Sequence, residues 1–282
     1  MSLLFRLASR FVAGERVDQA VTSVRKLNSK GMTASLDILG ENVHDKTTAD
    51  RAVQAYINLL DEIHAAGIDS NISVKLTMTG LDIGDDYCLD NVSRILEKAR
   101  TLNNFARIDM EGSPYTERTL KVFFELHKKY PNVGAVIQAY LHRSERDIDA
   151  LNAAGARVRL CKGAYREPPE VAIQKMSDIR VNYRKLAEKL LTGGVYPAIA
   201  THDSSLIKWT KQFAAERGIA NDKFEFQMLY GIRKGTQEAT VREGYRMRIY
   251  VPFGTHWVPY FYRRLRERKE NVWFVVSNLF KG

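Results

Sequence analysis

The sequence has few cysteines and no long hydrophobic run. Only two of its 282 residues are cysteine, Cys88 and Cys161, and neither belongs to a C-x-x-C pair or stands near a cluster of histidines. This pattern argues against a disulfide framework and against a structural zinc site, and it is typical of a reducing, cytoplasmic compartment. No stretch reaches the roughly 20 apolar residues that a membrane-spanning helix requires.

No linker rich in proline, glycine or serine divides the chain, and no block of like charges marks a tail. Hydrophobic residues make up 45% of the sequence and charged residues 27%, which is enough for a buried core and argues against disorder. We therefore expect residues 1–282 to form a single domain.

The charge balance is basic. Lysine and arginine number 43 against 33 aspartate and glutamate residues, which gives a net charge of +10. Such a charge favours anionic partners, namely nucleic acid, anionic lipid or small anions. The excess is scattered and no nucleic-acid-binding motif accompanies it, so we expect no nucleic-acid partner. A non-catalytic basic binding protein stays open as an alternative.

The amino-terminal segment from Met1 to Val12 is apolar and contains Arg6 and Arg10, with no acidic residue before Glu15. This pattern fits a remnant targeting segment, an interfacial helix that contacts a membrane surface, or an additional helix packed on the outside of the domain. We expect the packed helix.

Short apolar runs alternate with longer amphipathic stretches. The predicted strands are Thr33–Ile38, Ile72–Leu76, Ala106–Met110, Val133–Gln138, Arg157–Cys161, Pro197–Ala200, Phe224–Met228 and Met247–Val251. Helical periodicity predicts helices that include Thr48–Ala66, Leu89–Asn103, Glu117–Lys129 and Pro169–Leu191. Eight strand–helix units in about 250 residues indicate an α/β fold, a closed TIM-like (β/α)8 barrel. An open doubly wound sheet is the competitor, but the segment LGENVHD after the first strand has one glycine, whereas such sheets carry a glycine-rich turn there.

The predicted strands end in polar or charged residues, which in such a barrel lie together at one face. These residues are Asp37, Lys75, Asp109, Glu111, Gln138, Arg159, Lys162, Thr201, His202 and Asp203. Because an unpaired buried charge costs several kcal/mol, roughly, five consecutive strands with such ends indicate a site at that face.

Lys75 allows three interpretations: a structural ion pair, a substrate-binding cation, or the nucleophile of a Schiff-base lyase, a role for which Lys162 is the other candidate. We expect Asp109, on the neighbouring strand, to be its partner, since a carboxylate beside a lysine stays ionised and orients it.

Two further segments give weaker signals. In RLCKGAY, residues 159–165, Gly163 allows a ligand to approach the backbone closely, although an ordinary loop is an alternative. The triplet Thr201-His202-Asp203 suits a helix start with Asp203 or Ser204 as the cap. His202 has no second histidine or Cys-His spacing beside it, so we expect no metal site.

The segment YFYRRLRERKEN near the carboxyl terminus is the strongest local feature. On a helix, Tyr260, Arg263, Arg264 and Glu267 share one face. Adjacent guanidinium groups bind a carboxylate bidentately, and Glu267 is placed to hold either arginine by an ion pair. The alternative is a basic surface helix with salt bridges.

With this helix, eight segments stand in an order that resembles the proline dehydrogenase family over nearly the whole chain. They are SVKLT (73–77), RIDME (107–111), VIQAYL (136–141), RLCKGAY (159–165), ATHD (200–203), FEFQMLYG (224–231), RIYVPFG (248–254) and YFYRRLRER (260–268). The resemblance implies a (β/α)8 barrel with FAD at its carboxyl-terminal face. It implies oxidation of L-proline to Δ1-pyrroline-5-carboxylate and electron transfer to a membrane quinone, with the protein cytoplasmic or peripheral to the inner membrane. Oxidation of hydroxyproline is the alternative within the family.

The resemblance also implies roles for individual residues. Lys75, Arg263 and Arg264 would bind the substrate carboxylate, Asp109 would orient these cations, and Arg159 would donate towards flavin N5. The substrate ring would be enclosed by Tyr165, Leu229, Tyr250 and Tyr260, and Tyr250 would crowd the hydroxyl of hydroxyproline. The implied cofactor residues are Gln138, Arg159, Cys161, Lys162, Gly163, Ala164, Thr201, His202, Asn271 and Phe274. Cys161 stands where family members often have an aliphatic residue.

Overall fold

The structure, a computed structural model, describes residues 7–267 and the side chains of 7–264. Its strands are β1 (Thr33–Ile38), β2 (Ser70–Val74), β3 (Ala106–Ile108), β4 (Val133–Gln138), β5 (Arg157–Cys161), β6 (Ala198–Ala200), β7 (Glu225–Leu229) and β8 (Arg246–Phe253). Each strand pairs in parallel with the next, and β8 pairs with β1, so the sheet closes into a barrel.

Helices alternate with these strands. They are α1 (Val17–Asn28), α2 (Lys46–Ala66), α3 (Asp85–Thr101), α4 (Ser113–His127), α5 (Ser144–Ala153), α6 (Met176–Gly193), α7 (Ser204–Glu216), α8 (Lys234–Arg242) and α9 (Trp257–Glu267). The predicted (β/α)8 barrel is confirmed. Within residues 7–267, no helix has the length and apolar character needed to cross a membrane.

Local sequence explains the element boundaries. Helix α2 begins after Asp45, whose carboxylate accepts a hydrogen bond from the backbone N–H of Thr48 at 2.8 Å, and it ends at Gly67 in the left-handed region, φ 59°. Its buried face includes Val53, Tyr56 and Leu60, the periodic positions seen in the sequence.

The predicted helix Pro169–Leu191 is too long at its start, because α6 begins only at Met176. Pro168 and Pro169 lack backbone donors and favour extended conformation before them. The preceding loop pairs instead with the segment after β4, where Ile173 N donates to Tyr140 O at 2.8 Å. The predicted bounds of β1, β4 and β5 are confirmed; β2 ends at Val74, so Lys75 directly follows the strand.

The apolar core lies between the strands and the surrounding helices, whereas the barrel interior is polar. Arg159 of β5 donates to Ser73 of β2 at 3.3 Å and to Ser35 of β1 at 3.4 Å, across the interior. Nearer the amino-terminal ends of the strands, Arg248 pairs with Glu225 at 2.9 Å. Charged and hydroxyl side chains thus occupy space that layers of branched apolar residues fill in most such barrels.

The amino-terminal segment packs against the carboxyl-terminal end of the barrel. Leu7, Ala8, Phe11 and Val12 are buried in one cluster with Trp257, Tyr260 and Phe261 of α9, and with Leu39 and Ile232. The expected packing is therefore found, but it is directed at α9 and at the loops after β1 and β7. Residues 1–6 lie outside the described part of the chain.

Candidate active site

A cavity of about 360 Å³ opens at the carboxyl-terminal ends of the strands. It is lined by every predicted site residue within the described chain, namely Lys75, Asp109, Gln138, Arg159, Cys161, Lys162, Gly163, Ala164, Tyr165, Thr201, His202, Leu229, Tyr250, Tyr260, Arg263 and Arg264. The predicted residues Asn271 and Phe274 lie outside the described residues. Segments far apart in the sequence thus converge on one site.

Asp109 connects several strands at the floor of this cavity. Its Oδ1 accepts hydrogen bonds from Ser73 Oγ and Arg159 Nη1, both at 2.8 Å, and its Oδ2 accepts one from Tyr250 Oη at 2.9 Å. The guanidinium carbon of Arg159 also lies 5.3 Å from the centroid of the Tyr250 ring. These contacts fix the directions of Arg159 and Tyr250 before any ligand binds.

The nearest partner of Lys75 is Asp37, which corrects the predicted pairing with Asp109. The Nζ atom of Lys75 lies 2.6 Å from Asp37 Oδ1 but 3.8 Å from Asp109 Oδ2. The reason is that Asp109 is already engaged by three other donors. Asp109 therefore acts on Lys75 as a second, more distant negative charge.

The charge of Lys75 is held by these carboxylates. Burial alone lowers the pKa of Lys75, but the negative charges of Asp37 and Asp109 outweigh burial and raise this pKa above its usual value. A Schiff-base nucleophile must lose its proton readily. The electrostatics of the site therefore disfavour Lys75 as the nucleophile of a lyase.

Helix α9 brings two arginines to the cavity. Arg264 is 7% exposed, and its guanidinium carbon lies 5.0 Å from the centroid of the Tyr260 ring. Arg263 Nη1 donates to Glu41 Oε1 at 2.8 Å. Glu41, in the loop after β1, thus forms an ion pair of the kind that the sequence suggested for Glu267. The side chain of Glu267 lies outside the described part of the chain. The burial of Arg264 contradicts the surface-helix alternative.

The loop after β5 needs glycine at one position. Gly163 has φ 129°, and a Cβ there would lie 2.4 Å from the ring of Tyr140. The next residue, Ala164, donates its backbone N–H to Gln138 Oε1 at 3.2 Å, while Gln138 Nε2 donates to Glu111 O at 2.9 Å. The amide of Gln138 is thereby oriented at both ends.

Burial raises the pKa of Cys161 to about 12, so its thiol is neutral.

The triplet after β6 begins a helix, as expected. Asp203 caps α7 by accepting from Ser205 N at 3.1 Å, and it also pairs with Lys162 at 3.0 Å and Arg180 at 2.7 Å. Burial opposes ionisation of Asp203, but the hydrogen bonds from Arg180, Ser205 and Lys162 lower its pKa below the usual range.

His202 accepts a hydrogen bond at Nε2 from Leu229 N at 2.9 Å, which orients its ring against β7. Among the residues that the structure describes, no group of three metal-binding side chains occurs. The absence of a metal site stays a prediction for the whole chain.

Two residues that lie at the site were assigned no role from the sequence. Asp37 lines the cavity at the end of β1 and is 1% exposed, and its position as the first polar strand end was a signal. Glu41 gave no signal, because it lies in a loop without any pattern that marks it as the partner of Arg263.

The closed barrel and the cavity define a class of protein. Lys75, Arg159, Arg263 and Arg264 supply positive charge around one opening at the carboxyl-terminal face, where (β/α)8-barrel enzymes place their active sites. This is a barrel enzyme whose cavity contains cations of the kind that can bind a small anionic molecule.

Sequence comparison places the chain within this class. The family model described as proline dehydrogenase matches residues 20–277. The chain therefore belongs to the proline dehydrogenase family. It is 43% identical to proline dehydrogenase 2 of Bacillus subtilis (strain 168), in a match that covers 97% of this chain and 90% of the relative. It is 39% identical to the proline dehydrogenase of Deinococcus radiodurans, with 99% and 92% of the two chains covered.

Structural comparison agrees. The crystal structure of proline utilization A (PutA) from Bdellovibrio bacteriovorus, inactivated by N-propargylglycine, matches with a TM-score of 0.87 and 28% identity. The match covers 93% of this chain and 32% of that longer chain, so the similarity concerns one part of PutA.

Proposed function

We propose that this protein is an FAD-dependent proline dehydrogenase that oxidises L-proline to Δ1-pyrroline-5-carboxylate in proline catabolism. The observation that carries the proposal is the convergence of Lys75, Arg263 and Arg264 on one cavity, together with Arg159. Family membership supplies the substrate, and the cavity supplies a chemical reason for it.

The cations explain the binding of an amino acid. Lys75, Arg263 and Arg264 would bind the substrate carboxylate, since guanidinium groups match a carboxylate bidentately and the ammonium adds a point charge. Asp109 would orient Arg159 and Tyr250 through the hydrogen bonds that the structure contains. Fixing the carboxylate and the ring in one direction lowers the barrier chiefly by orientation.

The remaining walls would set the ring specificity. Tyr165, Leu229, Tyr250 and Tyr260 line the cavity and would enclose the apolar ring of proline. Because the hydroxyl of Tyr250 donates to Asp109 at 2.9 Å, its ring has a fixed position. A hydroxyl on the substrate ring would meet this phenol, which favours proline over hydroxyproline.

The residues present fit a flavin. The Nε atom of Arg159 is buried and, among the described residues, has no hydrogen-bond acceptor. A ligand acceptor in the cavity would satisfy it. Residues 162–164 line the cavity, and the positive φ of Gly163 lets their backbone follow the cavity wall, which suits a flat ring system. Bound FAD would supply the two-electron acceptor that takes hydride from the substrate.

The proposed cofactor contacts extend along the same loops. Gln138 and Arg159 would contact the isoalloxazine ring, residues 161–164 would line it, and Thr201 and His202 would hold the adenine-nucleotide half. Asn271 and Phe274 complete the proposed set. A positive group such as Arg159 beside the flavin stabilises negative charge that accumulates on reduction.

We propose a membrane quinone as the electron acceptor, and a cytoplasmic protein that contacts the inner membrane at its surface. The net charge of +10 supports attraction to anionic lipid.

The experiment that tests the proposal measures the visible absorbance of the flavin. Purified protein is expected to be yellow, and anaerobic addition of L-proline should bleach its visible absorbance. A colourless protein that also fails to take up added FAD would overturn the proposal. Borohydride trapping with an oxo substrate tests the lyase alternative, and the proposal expects no labelled lysine.

A further inference from the structure

One buried carboxylate in the cavity has no role in the function proposed above. Asp37, at the end of β1, is 1% exposed and lines the cavity wall. Its Oδ1 accepts a hydrogen bond from Lys75 Nζ at 2.6 Å. Within residues 7–267, no hydrogen bond of normal geometry reaches its buried Oδ2 atom, although the Tyr250 hydroxyl lies close enough to interact with this carboxylate. The contact with Lys75 is thus its principal interaction.

A buried carboxylate with so few donors is costly, so its presence requires a reason. Replacing both members of a buried ion pair by apolar groups is often neutral or stabilising, which makes stability a weak explanation. The alternative is a role in the chemistry of Lys75.

We infer that Asp37 is a positioning residue for substrate binding: it holds the ammonium group of Lys75 in place and keeps it charged, so that Lys75 can bind the substrate carboxylate. The inference rests on the proposed function, because it requires Lys75 to bind that carboxylate. It assigns to Asp37 the influence on Lys75 that the sequence pattern assigned to Asp109.

The surroundings of Lys75 identify Asp37 as the dominant influence. The other facing groups are Asp109 of β3, with Oδ2 at 3.8 Å, Tyr250 of β8, with Oη at 3.5 Å, and the phenol of Tyr56 from α2. Arg159 of β5 and Arg263 and Arg264 of α9 line the same cavity, and Glu111 is close enough for its charge to interact with Lys75 and Asp109. Nearby cations favour a neutral lysine, and burial does the same.

The sign of the effect follows. Asp37 and Asp109 raise the pKa of Lys75 against the opposing effect of burial. Removing the charge of Asp37 leaves Asp109 as the nearer remaining carboxylate and lowers this pKa. Lys75 then loses its proton at lower pH, and its contribution to carboxylate binding disappears as the pH rises.

The test measures binding, not turnover. The probe is tetrahydrofuran-2-carboxylate, in which an ether oxygen replaces the amine, so the ligand does not titrate between about pH 6 and about pH 10. Its affinity for the flavin-loaded protein is measured calorimetrically over this range. For the wild type we expect a nearly constant affinity. For Asp37→Asn we expect weaker binding, with a gap that grows to about tenfold or more at the alkaline end, because a cation near a carboxylate contributes on that order.

Asp147→Asn is the matched control. Asp147 is 5% exposed, but it lies on α5 and not in the cavity lining, and its carboxylate pairs with Arg143 at 2.6 Å. This variant makes the same substitution and removes a buried charge without removing the partner of Lys75. Its pH profile should match that of the wild type.

A second set of variants guards against simple misfolding. The variant Lys75→Met removes the cation alone, and the double variant Asp37→Asn with Lys75→Met removes both charges. Because the double variant leaves no unpaired buried carboxylate, it should unfold at a higher temperature than Lys75→Met. If Asp37 acts through Lys75, Asp37→Asn weakens probe binding in the wild type but not in the Lys75→Met background.

The outcomes separate the two hypotheses. Failure of the wild type to bind the probe would contradict the proposed function. A wild type that binds the probe, combined with an Asp37→Asn variant whose affinity gap is absent or independent of pH, would overturn the role of Asp37. An equal effect of Asp37→Asn in both backgrounds would overturn it as well.

Discussion

Arg263 and Glu41 form an ion pair of 2.8 Å that joins helix α9 to the loop after β1, at the edge of the cavity. Both side chains are partly exposed, at 29% and 25%. Burial opposes the charge of Arg263, but the hydrogen bond and charge of Glu41 raise its pKa above the usual value. The pair therefore holds in place a cation that is proposed to bind substrate.

Glu41→Gln should raise the KM for L-proline by about two- to fivefold and change kcat by less than about twofold. The reason is that a partly exposed ion pair contributes about 0.2–1 kcal/mol. Steady-state kinetics measures both constants. Glu238→Gln is the control, since Glu238 pairs with Lys30 at 2.7 Å and does not line the cavity. Equal effects of the two variants would contradict the role of the Glu41 pair.

Arg264→Ala should raise the KM for L-proline by about 100-fold or more, because truncating one partner of a buried charge pair costs about 2–5 kcal/mol. Arg264→Lys should recover only part of this loss, since an ammonium group cannot reproduce a bidentate contact. Steady-state kinetics measures KM, and calorimetric titration with tetrahydrofuran-2-carboxylate, which has no amine to be oxidised, measures the affinity. Arg146→Ala, at a side chain that is 71% exposed, should leave it unchanged. A small effect of Arg264→Ala would show that the carboxylate binds elsewhere.

Tyr250→Ser should change the choice of substrate. Removing the phenol opens space beside the ring, and it also removes the donor to Asp109 at 2.9 Å. We expect the activity on L-proline to fall, and the ratio of kcat/KM for trans-4-hydroxy-L-proline over L-proline to rise by about tenfold, in the range that small pocket changes give. An unchanged ratio would show that Tyr250 does not contact that part of the ring.

Gly231→Ala should release the amino-terminal segment from α9. Gly231 has φ 75°, and a Cβ there would lie 1.6 Å from Arg10 O, so the two segments cannot both keep their positions. Gly67→Ala is the matched control, because Gly67 has φ 59° with no atom within 4 Å of the added Cβ. Thermal unfolding should show a loss for Gly231→Ala that exceeds the control by about 2 kcal/mol or more, since overpacking adds to the strain. The KM for L-proline should rise in Gly231→Ala alone, because α9 carries Arg263 and Arg264. Similar stability losses and similar KM values for the two variants would contradict the idea that the amino-terminal segment supports α9.

Asp203 should make the stability of the folded protein depend on pH in the acidic range. Because the pKa of Asp203 is lowered in the folded protein, its ionised form stabilises the fold above the usual pKa of about 3.9. This stabilisation is lost as the pH falls through the lowered pKa. Asp203→Asn should therefore lower the melting temperature near neutral pH, and the difference from the wild type should shrink below about pH 4. Asp61→Asn, which breaks an exposed pair with Lys98 at 2.6 Å, should change it much less. A difference that stays constant with pH would contradict the prediction.

Much of this architecture was predictable from the sequence, since strands and helices follow from apolar periodicity. β4 ends at the predicted residue because the polar residue Gln138 closes its apolar run, and β5 ends at Cys161, where Lys162 follows. The convergence of Lys75, Asp109 and Arg159 was predictable too, because the carboxyl ends of parallel strands meet at one face of a barrel.

The partners of these residues were not predictable. Lys75 pairs with Asp37 and Arg263 with Glu41, although other carboxylates were reasonable choices by spacing. Pairing inside a barrel depends on small differences in distance, such as 2.6 Å from Lys75 to Asp37 against 3.8 Å to Asp109, and on which acceptors are already occupied. Neither quantity is encoded in the order of residues along one chain.

The polar interior of the barrel has a consequence for engineering. Side chains that join the strands across the lumen, such as Asp109 and Arg159, also face the cavity. Replacing them with apolar residues to gain thermal resistance would remove groups that are proposed to orient the substrate and to contact the flavin. Laboratory selection for a more thermostable, active variant should therefore yield substitutions in the apolar shell between strands and helices, around residues such as Val53 and Leu60.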